Sequence, residues 1–390
     1  MAKNKKVVEQ AIAVFGESGS GKSVLVSSFY GATQEPSFIK ESRYTISAPM
    51  GQHTKLFQDY LGMKDYARLP ATTRTSATAY SFSVRVKKPQ DPKKQKRGVD
   101  TLHLIWHDYP GQWFEQDVSG ESEAQRRVDA FRDLLGSDVA LLLVDAQRLI
   151  DNKGQEVKYL KSLFSNIRNG LTALKEQLLP DDKRLEQFPR TWILALSKAD
   201  LLPEMDVIAF RDLVVANAGA DLDRLRSTIV DMIEAPEATS VFDDLVLLSS
   251  ARFQPERIEV GQRVGLDLIL PFAAILPLEK IAWWKKAGAL PMPLLNNLTK
   301  ANDGIVGLAV PFLMKKAKDI PGPIGEAAAR IIGAFAQDAL EGLMNAGANK
   351  LQEKITLFTQ EQENFKAMLA DFRLRLINAE EEHVLYRRVQ

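Results

Sequence analysis

Short, strongly apolar segments bounded by turn residues recur through roughly the first 250 residues and alternate with amphipathic stretches. This alternation is typical of an α/β fold with a mostly parallel sheet, because helices that cover both faces of a sheet leave its strands apolar throughout. The second apolar segment instead alternates polar and apolar side chains, which predicts an edge strand paired antiparallel with the third. The six predicted strands are residues 11–15, 79–86, 102–106, 139–144, 192–196 and 245–248.

The balance of charge restricts the classes of partner. The 390 residues include 51 Lys and Arg against 50 Asp and Glu, so the net charge is +1 and nucleic acid is not an expected partner. The sequence contains no cysteine, which excludes disulfides and thiolate metal sites. It shows neither a signal-peptide core nor an apolar stretch long enough to span a membrane, so we expect a cytoplasmic location.

A glycine-rich segment follows the first predicted strand, precedes a helical pattern and matches the phosphate-binding pattern G-x-x-x-x-G-K-[ST]. In such a loop successive backbone N–H groups point at phosphate oxygens, the lysine adds a positive charge, and the last hydroxyl binds Mg²⁺. The sequence therefore predicts a phosphate-binding loop and a magnesium ligand, Ser23. The predicted phosphate-binding residues are Gly16, Glu17, Ser18, Gly19, Ser20, Gly21, Lys22, Ser23 and Val24.

An acidic residue, Asp108, ends the third predicted strand. Ligands of open α/β sheets bind at the carboxyl ends of the strands, so we expect Asp108 to share Mg²⁺ with Ser23. Three residues later, Gly111 can bring its backbone N–H close to a γ-phosphate. This segment resembles the D-x-x-G element of the GTPase superclass of P-loop proteins, in which Gln112 falls where many members keep the glutamine that orients the attacking water.

Two further segments resemble the base-recognition elements of the same superclass. Ser197, Lys198 and Asp200 resemble the [NT]-K-x-D element. The segment Ser249-Ser250-Ala251 resembles the short S-A element, with Ser250 and Ala251 as its predicted site residues. The resemblance implies a G domain that binds GTP and GDP, with Lys198, Asp200 and Ala251 recognising guanine. Ser197 departs from the family pattern because serine lacks a side-chain amide, so an ATPase with relaxed base selectivity remains the alternative.

The segment ahead of the second predicted strand is expected to supply a further Mg²⁺ ligand. Family members place a threonine there, and we assign it to Thr73, with Thr75 as the alternative. Thr73-Arg74 and residues 108–113 also resemble the corresponding segments of YcjX-type bacterial GTPases. Arg74 is then either an arginine finger that reaches the transition-state phosphate or an ordinary loop arginine. The predicted catalytic residues are Lys22, Thr73, Arg74 and Gln112.

The sequence predicts two regions: a P-loop GTPase domain over residues 1–258 and a helical C-terminal region over residues 259–390. Residues 264–349 are apolar and poor in charge, which fits either helices packed on one another or contact with a partner or the inner face of a membrane. From about residue 350, apolar side chains follow a heptad spacing. That seam pairs with a second copy or a partner, or else lies along the GTPase domain.

These features together predict the activity and its use. We expect Mg²⁺-dependent GTP hydrolysis that is slow without a partner, in a molecular switch that signals through the C-terminal helices to a protein partner or by self-association. The alternative of another class is a GTP-gated assembly or a peripheral membrane-acting effector, in which hydrolysis times a structural change in the C-terminal region.

Overall fold

The computed structural model describes residues 8–71, 77–87, 101–114, 120–179, 183–185, 191–234, 236, 239–254, 256–286 and 367–388. An eight-stranded sheet in the order β10-β7-β6-β5-β1-β4-β3-β2 organises them. Its strands are β1 (Val8–Phe15), β2 (Tyr44–Ser47), β3 (Thr78–Val86), β4 (Thr101–Asp108), β5 (Val139–Asp145), β6 (Thr191–Ser197), β7 (Ser240–Leu248) and β10 (Leu385–Tyr386). A separate hairpin is formed by β8 (Arg252–Gln254) and β9 (Arg257–Glu259).

Helices cover both faces of the sheet. On one face lie α1 (Lys22–Ala32), α3 (Met50–Tyr66), α9 (Ile269–Lys286) and a further helix, α10, described over residues 367–381. On the other lie α4 (Glu121–Leu135), α5 (Ala146–Asp151), α6 (Glu156–Ala173), α7 (Lys175–Leu178) and α8 (Val207–Asp231). A short helix, α2 (Pro36–Glu41), precedes β2. This arrangement confirms the predicted α/β class.

The buried centre of the sheet explains why its strands could be predicted. Every residue of β5 and β6 is buried, and β1 pairs in parallel with both β4 and β5. The predicted antiparallel pairing with the third predicted strand is confirmed, with Tyr80 of β3 opposite Trp106 of β4. The predicted edge position is wrong, because β2 pairs with the other side of β3 and forms the edge. The predicted count of six strands was too low, because β2 and β10 were missed. Both are short strands at the two edges of the sheet, where pairing rather than apolar sequence defines them.

The first part of the apolar C-terminal region packs as core. From Ile269 to Leu276, α9 is buried almost throughout and lies against β1 and β5. Of the two predicted alternatives, these residues therefore follow the one in which the helices pack as core, and they do not form a surface that contacts a membrane. No helix among the described residues combines the length and the apolar character needed to cross a membrane. The side chains of residues 278–286 and the whole of 287–366 lie outside the described residues.

The end of the predicted heptad stripe lies against the sheet domain. Leu369, Phe372 and Leu376 are buried in the core shared with α1 and β2, and the ring of Phe372 meets Tyr44 edge-on at 5.4 Å between ring centroids. For these residues the structure agrees with the alternative in which the heptad seam lies along the sheet domain. Residues 351–365 of the stripe lie outside the described residues. The strand β10 then pairs antiparallel with β7, Leu385 lying opposite Val246.

Both described parts of the C-terminal region therefore contribute to the core of the sheet domain. The hydrophobic cluster on the α1 face contains residues from α9 and α10 together with residues from β1, β4 and β5. The boundary at residues 258 and 259 stays a prediction, because the chain between 286 and 367 lies outside the description.

We predict that Phe372→Ala destabilises the protein by about 3 to 5 kcal/mol, because it removes a buried ring that packs on Tyr44. Urea unfolding followed by circular dichroism measures the effect. Leu374→Ala is the matched control: the same helix carries Leu374 with 55% of its side chain exposed, so the change should stay within about 0.5 kcal/mol. Equal effects of the two substitutions would contradict the docking of α10 on the sheet.

Candidate functional site

The sequence-predicted motifs meet at one edge of the sheet. The loops after β1, β4, β5, β6 and β7 all leave the carboxyl ends of parallel strands, and β1 lies centrally among them. The chain turns to α1 on one face after β1 and to α5 on the other face after β5. Such a reversal opens a crevice at the carboxyl ends of the strands, where open α/β sheets bind ligands.

The loop after β1 has the backbone geometry of a phosphate cradle. Gly19 and Gly21 have φ values of 81° and 91°, a conformation that a side chain would strain, so glycine is required at both positions. The Lys22 ammonium donates to the carbonyl oxygens of Gly16 at 2.7 Å and Glu17 at 2.9 Å. These bonds hold the loop curled around the lysine and place its charge within the loop, as the sequence predicts.

Ser23 and Asp108 come together as predicted for a magnesium site. The Ser23 hydroxyl donates to Oδ2 of Asp108 at 3.2 Å, although 85 residues separate them in the chain. Asp108 is 1% exposed, and its Oδ1 has no hydrogen-bond partner among the described residues. A buried carboxylate oxygen without a donor is costly and suits a cation. Oxygen ligands of this kind, supplemented by water and substrate phosphates, are those that Mg²⁺ prefers.

The surroundings of Asp108 also contain a lysine that the sequence did not indicate. Burial raises the pKa of the Asp108 carboxyl, while the charges of Lys22 and Lys55 and the hydroxyl of Ser23 act in the opposite direction. Lys55 belongs to α3 and donates to the hydroxyl of Tyr80 at 3.0 Å. No motif contains Lys55, so only the packing of α3 on α1 brings it to the site.

The segment after Asp108 lies directly against the phosphate-binding loop. A Cβ added to Gly111 would come within 2.2 Å of the backbone nitrogen of Ser18, so only glycine fits this approach. Gln112 follows in a short 3₁₀ turn, Gly111–Phe114, and is half-buried. The buried Arg127 donates to the carbonyl of Trp113 at 3.1 Å and so holds this turn on α4. Thr73 and Arg74 lie outside the described residues.

The two predicted base-recognition segments are adjacent. Asp200 follows β6 in the turn Ala199–Leu201, and its Oδ1 accepts from the Ser249 hydroxyl at 2.7 Å while its Oδ2 accepts from the backbone N–H of Phe253 at 3.2 Å. Ser249 was missed among the predicted site residues, which included Ser250 and Ala251 of the same Ser-Ser-Ala segment. The Ser249 hydroxyl oxygen also lies 2.7 Å from the carbonyl oxygen of Ala251, so its single hydrogen is shared between the two acceptors and the segment forms a compact turn beside Asp200.

Ser197 and Lys198 make contacts away from Asp200. The Ser197 hydroxyl donates to the carbonyl of Val144 at 3.2 Å, on the neighbouring strand β5. Lys198 adopts a left-handed backbone conformation with φ 55°, and its ammonium lies 2.7 Å from Oδ2 of Asp145. Asp145, which no sequence motif indicated, thus joins the site through Lys198.

Comparisons with known proteins find similarity in structure and none in sequence. No protein-family model matches the chain, and no curated protein matches it by sequence. Similar solved structures include a putative nucleolar GTP-binding protein 1 from Plasmodium falciparum, with 12% identity, 76% of this chain and 99% of that chain covered, and a TM-score of 0.31. Another is the signal recognition particle receptor SRb-GTP/SRX complex from Chaetomium thermophilum, with 19% identity, 63% and 91% covered, and a TM-score of 0.33.

A third similar structure is Era from Aquifex aeolicus bound to GDP and aluminium fluoride, with 14% identity and a TM-score of 0.24. The similarity covers 62% of this chain and 51% of that one, so the match spans about half of the Era chain. At such TM-scores these likenesses carry no inference about the ligands of this chain, which we take from its own site.

The sheet order, the glycine loop with Lys22 and the acidic end of β4 define a P-loop nucleotide-binding domain. Within that class the order of elements agrees with the predicted G-domain fold, since an antiparallel β3 precedes β4 and the Asp200 and Ser249 segments follow β6 and β7. The narrower resemblance to YcjX-type GTPases stays a prediction.

We predict that Asp108→Asn abolishes the effect of Mg²⁺ on nucleotide affinity, a loss of more than about tenfold, yet leaves the metal-free protein at least as stable at neutral pH. Because burial raises the pKa of Asp108, the ionised carboxylate destabilises the fold, and this penalty grows as the pH rises from the ordinary carboxyl range through the raised pKa. The stability advantage of Asp108→Asn should therefore vanish in acid. Thermal unfolding in a chelator at several pH values measures it.

Asp59→Asn provides the control. Burial raises the pKa of Asp59 as well, but its carboxylate accepts from Ser27 and not from Ser23. This substitution should leave the Mg²⁺ dependence of nucleotide binding intact. Loss of that dependence in Asp59→Asn, or its persistence in Asp108→Asn, would contradict the assignment of the metal ligand.

Proposed function

We propose that the chain binds Mg²⁺·GTP and hydrolyses it to GDP. The observation that carries the proposal is the placement of the Ser23–Asp108 pair beside Lys22, at the same edge of the sheet as Asp200. Phosphate, metal and base recognition are thereby available to one nucleotide in one crevice. Mg²⁺ bound at Ser23 and Asp108 would neutralise charge on the β- and γ-phosphate oxygens.

Phosphate binding requires the chain to present N–H groups and positive charge. The backbone amides from Gly19 to Ser23 stand at the amino terminus of α1, where the helix dipole also favours an anion. Lys22 already lies within the loop, at hydrogen-bond distance from its carbonyl groups. A bound polyphosphate can replace these carbonyl groups as the partner of the Lys22 ammonium without a large movement of the lysine.

Selection of guanine rests on Asp200. Each of its carboxylate oxygens accepts one hydrogen bond in the structure, and a carboxylate oxygen has room for a second. Guanine offers two neighbouring donors, its ring N–H and its exocyclic amine, and adenine lacks this arrangement. Because Ser249 and Phe253 fix the orientation of the carboxylate, the pairing requires no rearrangement of Asp200. This preorganisation favours guanine in spite of Ser197.

Hydrolysis needs an ordered water and stabilisation of the charge that develops on the phosphate. Gln112 follows Gly111, which contacts the phosphate-binding loop, and this adjacency supports a role for its amide in orienting a water near a γ-phosphate. Thr73 completes the metal site in this proposal, and Arg74, a partner or a second copy supplies the remaining charge. Turnover by the chain alone is then slow.

The proposed switch acts through β2 and α10. Loss of the γ-phosphate would release the segments around Thr73 and Gly111. The chain that contains Thr73 begins after β2 and α3, and β2 carries Tyr44, which contacts Phe372 of α10. We expect a change near Thr73 to reach the C-terminal region through β3, which pairs with β2, and from there to reach a partner.

We predict that Asp200→Asn lowers the affinity for GDP by about 10- to 100-fold, because a charged acceptor that pairs with two guanine donors becomes an amide that matches only one of them. The affinity for ADP should change little. Competition against a fluorescent GDP analogue measures both.

Asp206→Asn is the matched control for this substitution. Asp206 caps α8 six residues later through the backbone N–H of Ala209, and asparagine caps helices equally well. Tighter binding of ATP than of GTP by the unchanged protein would remove the guanine assignment altogether.

We predict that Gln112→Ala lowers single-turnover GTP hydrolysis by about 10- to 1,000-fold and leaves the Kd for GDP nearly unchanged. The reason is that Gln112 is proposed to act on water and not on the bound nucleotide. Phosphate release assays under single-turnover conditions give the rate. Gln125→Ala, at an exposed glutamine of α4, should alter neither quantity. An unchanged rate in Gln112→Ala would exclude its catalytic role.

A further inference from the structure

The short helix α5 lies between the phosphate-binding loop and the base-recognition loop, and Asp145 at its amino terminus is firmly held. Oδ1 of Asp145 accepts from the N–H of Gln147 at 3.0 Å, and Oδ2 receives the Lys198 ammonium at 2.7 Å. The backbone N–H of Asp145 donates to the hydroxyl of Tyr159, a buried side chain of α6, at 2.9 Å. Lys198, two residues before Asp200, is thereby attached to α5.

Arg148, three residues after Asp145, contacts the phosphate-binding loop. One guanidinium nitrogen donates to the carbonyl of Ser18 at 3.2 Å, and another lies 3.0 Å from Oε2 of Glu17. The contact with Ser18 joins residues 130 positions apart in the chain. The planar guanidinium suits such a double contact, which a lysine ammonium cannot reproduce with the same geometry.

The charge of Glu17 makes the contact with Arg148 necessary. The Glu17 side chain is only 4% exposed, whereas that of Arg148 is 37% exposed. A carboxylate buried within a loop that binds phosphate is unfavourable on two counts, since it loses its hydration and repels the anion. Arg148 compensates for both effects. Gly111 approaches the Glu17–Ser18 peptide of the same loop, so Gly111 and Arg148 both contact this part of the phosphate-binding loop.

Together these contacts form what we call the α5 link: Lys198, Asp145, Arg148, the Glu17 carboxylate and the Ser18 carbonyl. We propose that the α5 link fixes the distance between the phosphate-binding loop and the base-recognition loop, so that Arg148 and Asp145 are positioning residues for guanine selectivity. The inference rests on the proposed function and goes beyond it. The side chain of Ser197 bonds to Val144 of β5 and not to the phosphate-binding loop. In this proposal α5, and not Ser197, connects the base-recognition loop to the phosphate-binding loop.

The link has a consequence that simple support of the loop would not have. A nucleotide bound at both ends gains full affinity only if the two loops stand at the right separation. Disturbing that separation costs a correctly paired guanine more than an adenine, which lacks the two donors for Asp200. Loss of loop support alone would weaken GDP and ADP equally, because their phosphates are identical.

The test is the ratio of Kd for ADP to Kd for GDP, measured by competition against a fluorescent GDP analogue in Mg²⁺ on the full chain. We expect Arg148→Gln to lower this ratio about tenfold. Arg132→Gln is the matched control, since Arg132 also contacts a carboxylate, Asp129 at 3.4 Å, and a carbonyl, Gln177 at 3.3 Å, but on α4 away from the site. It should leave the ratio unchanged.

Two further variants complete the test. Arg148→Lys keeps the charge but not the double contact, and it should lower the ratio by a smaller factor; if Arg148→Gln does not fold, Arg148→Lys decides alone. Asp145→Asn keeps the helix cap and removes the ion pair with Lys198. Combined with Arg148→Gln it should lower the ratio no further than the stronger single variant, because the link is already broken.

The outcomes separate the inference from the proposed function. If the unchanged protein does not prefer GDP, the proposed function fails, whatever the variants do. If it prefers GDP and the Arg148 variants weaken GDP and ADP by the same factor, or weaken neither, the α5 link is overturned while the proposed function stands. Additive effects of Asp145→Asn and Arg148→Gln on the ratio would likewise overturn it.

Discussion

Charge buried at the carboxyl edge of an apolar sheet is the constraint on which the site depends. Strands of the sheet deliver Asp108, Asp145 and, through the following loop, Glu17 to places that water scarcely reaches. Each carboxylate must find a cation or a donor, because an unpaired ion there would cost several kcal/mol. Lys198 and Arg148 satisfy two of them. Asp108 accepts one hydrogen bond from Ser23 and lies near the charges of Lys22 and Lys55, but it has no direct ion pair among the described residues. Its incompletely neutralised charge makes it suitable as a metal ligand.

The elements that sequence alone could predict are those whose burial is local and regular. β5 and β6 are buried at every position, so their uninterrupted apolar residues indicate them. Lys22, Ser23, Asp108 and Asp200 belong to motifs with fixed spacing, and the structure brings them to the same edge. In contrast, β2 and β10 are strands only because a neighbouring strand offers hydrogen bonds at an edge of the sheet.

The residues that the sequence did not indicate act through contacts between distant segments. Lys55, Asp145 and Arg148 belong to no spaced motif. Lys55 and Arg148 reach the site because α3 and α5 pack in particular orientations, and Asp145 reaches it at the end of β5. Ser249 is a different case: the Ser-Ser-Ala segment was recognised, but the side chain that contacts Asp200 lies one position before the pair that was assigned. A pattern gives the position of a loop to within a residue, whereas a hydrogen bond needs the exact side chain.

The pairing of β10 with β7 bears on how the chain reaches its folded state during synthesis. The backbone of Arg388 bonds the carboxylate of Asp244 across 144 residues, and Leu385 lies opposite Val246. A nascent polypeptide that has left the ribosome only as far as β9 already contains every loop of the crevice, yet β7 still exposes free amide and carbonyl groups at one edge of the sheet. Until the later segment arrives, that border is open to pairing with another chain, so chaperone binding at this stage would be of particular benefit.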